Sequence, residues 1–172
     1  KNKDLPIEVV VEDTEACPRY SGVTIKGVIV GESPDWIKKR LNSLGVRPIN
    51  NIVDITNFVL HELGQPLHAF DADKISGGKV IVKKQAEGTP FLCLDEVERK
   101  LSAEDLMICD GNQKGMCIAG VFGGLKSGVT ESTKNIFLES AHFHAKMTRR
   151  TSTRHLLFTD AAKVYEKGSD PN

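Results

Sequence analysis

The chain has no surplus of charge: 23 basic residues balance 23 acidic ones. A protein that grips a long nucleic acid by charge alone wants a basic excess, so that class is disfavoured, while contact with a single nucleotide end stays open. No apolar run approaches the roughly 20 residues of a membrane-spanning helix. The opening KNKDLPIEVV is charged and then β-like, unlike a signal peptide. The four cysteines, Cys17, Cys93, Cys109 and Cys117, form no CxxC pair and match no common zinc spacing. They read as reduced, buried small hydrophobes, which fits a cytoplasmic protein with no membrane association. Signatures of covalent and metal-dependent hydrolysis are missing as well. There is no GxSxG, no HExxH, and no cysteine with a histidine close by in sequence. AGVFGG is not a phosphate loop, because no Lys-Ser/Thr pair follows it. Internal repeats and low-complexity linkers are also absent.

What is present suits one domain with a sizeable core. The chain has 172 residues, of which 40% are apolar and 27% charged. The texture is α+β: a sheet-rich middle of mixed or antiparallel strands, barrel-like or layered, with helices at both ends. Ile7 to Val11 and Tyr20 to Val30 read as strands, the second with Gly22 and Gly27 as bulge candidates. Ser33 as N-cap, Pro34 at the first helical position and Asp35 behind it predict a helix, which Gly45 stops. A second helix is expected from Asn50 or Asn51 to Leu63, with Ile52, Ile55, Val59 and Leu63 as its core face and Gly64 as its end. Alternating segments from Gly78 to Ser140 predict several short strands. Two closing helices are expected, His144 to about Leu156 and Ala161 to Lys167.

Arg47 to Asp71 carries the densest polar chemistry, RPINNIVDITNFVLHELGQPLHAFD. Its amides, carboxylates and imidazoles are threaded with aliphatics, which suggests a partly buried polar site rather than a solvated loop. Pro66 forces Gln65 to be extended, so His68 falls in a loop or short strand past the helix end. There it could position a water or an ester, act as a base near neutral pH, or simply pack. The glycines of AGVFGG allow a close approach of backbone to another group, or a bulged strand. Glu139 shares neither parity nor face with Ile136 and Leu138, so it faces either solvent or a pocket. His142 and His144 lie near enough to share a metal, yet no third ligand is in view.

Five segments together resemble the central editing domain of the β chain of bacterial phenylalanyl-tRNA synthetase. They are CPRYSG at 17–22, the stretch at 47–71, AGVFGG at 119–124 with SGVTEST at 127–133, NIFLESAHF at 135–143, and FTDAAKVYEKGSDP at 158–171. The resemblance runs over nearly the whole chain and implies that residues 1–172 are a single editing domain taken from a longer subunit. It implies hydrolysis of the ester of tyrosine mischarged on phenylalanine tRNA by a positioned water, without a covalent intermediate or a metal in this domain. By the same resemblance, Glu139 accepts the tyrosine hydroxyl, Gly123 presents backbone to the ligand, and Thr159 and Ala161 line its ring. His68 would lie by the ester and terminal adenosine, with Thr56 and Asn57 holding substrate or water and Arg47 near the entrance. Implied partners are the 3′ end of the charged tRNA and an α subunit, in an α2β2 enzyme that uses ATP and magnesium elsewhere. The chain departs from the family pattern at Leu156, where glycine is expected, at Ala162 for serine, and at Val164 for arginine. Those departures keep a second reading open: a non-catalytic packing or tRNA-contact module with a degenerate site.

Overall fold

The computed structural model describes residues 6–169, so Asp170 and Pro171 of the last quoted segment lie outside the described residues. In chain order the elements are β1 (Glu8–Val11), β2 (Arg19–Lys26), α1 (Asp35–Ser43), α2 (Asn51–Leu63), β3 (Leu67–Asp71), β4 (Lys79–Lys84), β5 (Pro90–Leu92), β6 (Glu98–Lys100), β7 (Leu106–Asp110), β8 (Gly115–Ile118), β9 (Phe122–Gly123), β10 (Asn135–His142), α3 (Ala145–His155) and α4 (Asp160–Lys167). This is an α+β fold with layered sheets and no closed barrel among the described residues. Among the described residues no helix is long and apolar enough to cross a membrane.

Strand alternation sets the layering. β10 is the centre of a three-stranded antiparallel sheet in the order β2-β10-β3. One face of that sheet carries Phe137, Glu139 and Ala141 from β10, Tyr20 and Gly22 from β2, and His68 and Phe70 from β3. A second sheet runs β1-β4-β7-β8-β9, with β1 and β4 parallel and the other pairs antiparallel. Its Val80, Val82 and Ile108 meet Phe70, Phe137 and Ala141 in one buried cluster, which Phe143 and Tyr165 complete. The opposite face of the second sheet, with Ile81, Met107, Cys109 and Ile118, packs on Phe91, Cys93 and Leu101 around the β5–β6 hairpin. All four cysteines are free and buried, in line with the sequence reading.

Glu139 therefore lies between two sheets, and only 4% of it is exposed. That removes the solvent-facing alternative. Gly22, its partner on β2, sits in regular register and is not a bulge. It is glycine because a Cβ there would fall 2.1 Å from Phe137 Cζ.

The N-terminal helices begin differently from the sequence expectation. α1 starts at Asp35 with Pro34 as its cap residue, and no side chain caps it. Ser33 instead donates its hydroxyl to the buried Asp54 of α2, whose other oxygen accepts from the Ile49 N–H. α2 matches its expected bounds: Asn50 caps the Val53 N–H, and Gly64 closes the helix in the left-handed region at φ 71°. Its expected core face is wrong, however. Ile55 is 45% and Leu63 74% exposed, Ile52 and Val59 are half-buried, and the buried residues are Asp54, Thr56 and Leu60. The reason is position. α2 leans on α1 and on the edge strand β3 rather than over the face of a sheet, so only a narrow stripe is covered.

At the other end, α3 and α4 pack on each other. A buried polar cluster anchors α3. Asp105, fully buried, accepts from Thr151 and from the Ser102 N–H, contacts His155 at 2.6 Å, and pairs with Arg154.

Candidate functional site

Glu139 and His68 are direct cross-strand partners on β10 and β3, so both project from the same face into the space between the sheets. Gly123 of β9 closes in from the facing sheet: a Cβ there would stand 3.1 Å from His68 Cε1 and 2.8 Å from Leu94 Cδ1. Three of the residues singled out in the sequence thus converge. β9 reaches this place because it pairs with β8, Gly123 opposite Cys117, after the tight turn at Gly120 (φ 68°). No side chain fits at Gly120 either, since Phe143 and Tyr165 press on it.

The electrostatics are unusual for a carboxyl. Burial pushes the Glu139 carboxyl up to about 7, partly offset by a hydrogen bond from the Tyr20 hydroxyl. That bond, to Oε2, is 2.6 Å long. Oε1 has no hydrogen-bond partner among the described residues, and no cation among them offsets the charge. Its charge is felt by Cys17, Tyr20, Cys117 and Tyr165, all poor ionisers raised first by their own burial. Burial lowers His68 to about 4, so its imidazole is neutral at physiological pH. The ring stacks edge-on against Phe70 at 4.4 Å between centroids. Desolvation accounts for that shift, with no hydrogen bond to the ring contributing. A neutral imidazole and an unshared carboxylate oxygen are left facing the same space.

Tertiary contacts frame this pair. Tyr165 of α4 places its hydroxyl 3.2 Å from the Ala141 carbonyl, and Gln65 Nε2 donates to the carbonyls of Pro66 and Ala141. Together they pin the corner that leads into β3. Thr159 caps α4 by accepting from the Ala162 N–H and donates to the Val121 carbonyl at 2.8 Å, tying the helix start to the AGVFGG turn. Ala161 follows it, half-buried.

The remaining sequence candidates lie on the α1–α2 hairpin. Thr56 is buried and donates to the Val53 carbonyl of its own helix. Asn57 is half-buried one residue on, and Arg47 is exposed in the loop between the helices. No group of three or more side chains that could hold a metal occurs among the described residues, at His142 and His144 or elsewhere. His142 Nδ1 lies 3.0 Å from Ser169 Oγ, and His144 starts α3. A separate cleft of about 470 Å³, lined by Lys74, Phe91, Met116 and Lys126 among others, opens in the other layer and includes none of the candidate residues. The residue that sequence reasoning overlooked is Tyr20. Its one signal in the sequence is its place in the CPRYSG segment.

Fold and site together define a layered α+β domain in which one buried carboxyl and one neutral imidazole stand side by side between two sheets. The model of the B3/4 domain family matches residues 16–172, and the chain belongs to that family. It is 62% identical over all 172 residues to a phenylalanine–tRNA ligase beta subunit of Bacteroides thetaiotaomicron, and 48% identical over 163 residues to that of Geobacter metallireducens. The chain covers 21% and 20% of those two proteins, about a fifth of their length. Among solved structures, an N-terminal fragment of the phenylalanyl-tRNA synthetase beta subunit from Pyrococcus horikoshii matches with a TM-score of 0.56 at 15% identity. That match covers 82% of this chain and 45% of the fragment, and at this identity it speaks to the fold alone.

Proposed function

We propose that this chain is the editing domain of a phenylalanine–tRNA ligase β subunit and hydrolyses the ester of tyrosine mischarged on phenylalanine tRNA. The observation that carries the reading is Glu139: a carboxyl buried between two sheets, with one oxygen unshared, opposite a neutral imidazole. A synthetic site made for an apolar ring rejects an added hydroxyl weakly, so a second site is needed that prefers the hydroxyl. Glu139 Oε1 is such an acceptor. Phenylalanine in the same place leaves it unpaired, at a cost of about 1–3 kcal/mol.

His68, lowered to about 4, is too weak a base to take a proton efficiently at neutral pH. Its role in this reading is to hold a water or ribose hydroxyl at the ester, so that the gain comes from positioning. Gly123 lets the ligand approach the backbone, and Thr159 and Ala161 line the amino-acid ring. Thr56, Asn57 and Arg47, on the hairpin that leans on β3, serve the ester and nucleotide end. The synthetase's ATP, magnesium and α subunit belong to the charging reaction, and delivery of the tRNA 3′ end falls to the rest of the enzyme in its cytoplasmic setting.

Two of the three departures from the family pattern leave the local backbone frame in place. Leu156 adopts the left-handed C-cap of α3 that glycine would take, and it is 75% exposed. Ala162 is fully buried and still donates its N–H to Thr159. One observation favours the packing-module reading instead: the hydroxyls of Thr56 and Thr159 both bond to backbone within the chain. Deacylation of preformed Tyr-tRNA and Phe-tRNA by the whole synthetase separates the two. Editing predicts fast release of tyrosine only, lost in Glu139→Ala and slowed in His68→Ala. Equal slow release of both amino acids by the wild type would leave the packing module, and a wild-type rate in the double variant would move the site elsewhere.

A further inference from the structure

We infer that Tyr20 is a positioning residue for specificity: its phenol holds Glu139 by one oxygen and so reserves the other, as an acceptor only, for the hydroxyl of a ligand. The inference rests on the editing reading and adds a residue to it.

The geometry is as follows. Tyr20 lies opposite Ala141 in the β2–β10 register, two residues from Gly22, which is opposite Glu139. The Phe137 ring covers the bare Gly22, and the Tyr20 phenol reaches Glu139 from its place opposite the small Ala141. Its hydroxyl ends 2.6 Å from Oε2, across 119 residues of sequence. A phenol donating to a carboxylate is the same chemistry that a bound tyrosine would offer. The protein therefore already carries one such bond, made by its own side chain, beside an oxygen left for the second.

Two consequences follow for recognition. First, the bond fixes the carboxyl's rotation, so that Oε1 points where a ligand hydroxyl arrives. Second, a donor to the ionised form favours ionisation, against the burial that opposes it. An ionised carboxyl accepts only. A protonated one accepts weakly, and left unpaired beside a phenylalanine ring it costs less than a buried charge does. Selectivity for the hydroxylated ring therefore tracks ionisation of Glu139. The titratable groups that face Glu139 are Tyr20 on β2, Cys17 before it, His68 on β3, Cys117 on β8 and Tyr165 on α4. His68, Cys117 and Tyr165 stay neutral near pH 7 to 8, as do Tyr20 and Cys17. Among the groups that face it, Glu139 is thus the one that changes charge in that window.

The test is Tyr20→Phe in the whole synthetase, with the ratio of Tyr-tRNA to Phe-tRNA deacylation measured from pH 6 to 9. In the wild type the ratio rises with a midpoint near 7, following the carboxyl. Loss of a hydrogen bond to a charged group should move that midpoint up by about 1–2 pH units. The ratio at pH 7 should then fall about tenfold and recover at the alkaline end. The ¹³C resonance of the Glu139 carboxyl, titrated in the 172-residue chain with and without the substitution, should show the same displacement. Tyr20→Phe keeps the ring, so an unchanged unfolding midpoint at pH 5 distinguishes positioning from misfolding. An unmoved carboxyl titration overturns the inference whatever the enzyme does. A moved titration with an unmoved deacylation ratio overturns it too, by uncoupling ionisation from selectivity. A wild-type enzyme with no tyrosine preference at any pH instead sinks the editing reading, and the carboxyl titration still reports on the bond.

Discussion

Glu139→Gln should stabilise the protein at alkaline pH and do almost nothing in acid. The carboxyl stands at about 7 in the fold against an ordinary value of 4.5. The folded state thus binds the proton more tightly than the unfolded chain does. The sign follows: relative stability is fully present below 4.5 and is lost as pH rises towards and through 7. The gap of 2.5 between those two values corresponds to about 3 kcal/mol of destabilisation at pH 8, and to less than about 1 kcal/mol at pH 5. Glutamine carries no charge, and its carbonyl still accepts from Tyr20, so it removes the penalty and keeps the bond. For a domain of this size the unfolding midpoint should rise by roughly 6–12 °C at pH 8 and by no more than about 3 °C at pH 5. Thermal unfolding of the chain and the variant, followed by circular dichroism at the two pH values, reads this directly. An equal rise at both pH values would mean that the gain is packing, and that Glu139 is not held against ionisation. A drop at pH 8 would mean that an unseen donor or cation stabilises the carboxylate. The expected result makes Glu139 a residue that the fold tolerates at a cost in stability, as functional groups often are.

Other substitutions probe the frame around it. Gly22→Ala places a methyl 2.1 Å from Phe137 Cζ, and urea unfolding should show a loss of about 1–3 kcal/mol, largely restored in the double variant Gly22→Ala/Phe137→Leu. Leu156→Gly relieves a left-handed backbone at φ 55° on an exposed side chain. It should raise stability by about 1 kcal/mol, seen as a 2–4 °C increase in Tm, with no change in tyrosine release.

Much of the backbone was legible in the sequence where chemistry is local. The Asn50 cap and the Gly64 stop bound α2 correctly, because a side-chain oxygen and a left-handed glycine act within one turn. α3, α4 and the chain of short strands were legible for the same reason. Ser33 misled because a cap signal counts only if the hydroxyl is not claimed elsewhere, and Asp54, 21 residues away, claims it. The apolar side of α2 misled because periodicity reports that a face is apolar and not that anything covers it. Its Ile55 and Leu63 remain in solvent at the edge of β3.

By itself, the sequence determined the class of fold, the order of its strands and helices, and, through its segments, the kinship with the B3/4 family. It also determined that Glu139 and Ile136 lie on opposite faces of a strand, since alternation needs no tertiary information. Only the tertiary structure decided which face is buried. It alone set His68 beside that carboxyl on the neighbouring strand, brought Gly123 against His68 from the other sheet, and Tyr20 onto Oε2 across 119 residues. Those pairings are set by register and by layer stacking, which depend on all strands at once. The proton affinity of Glu139 follows from them, because desolvation exists only when the second sheet closes over the first.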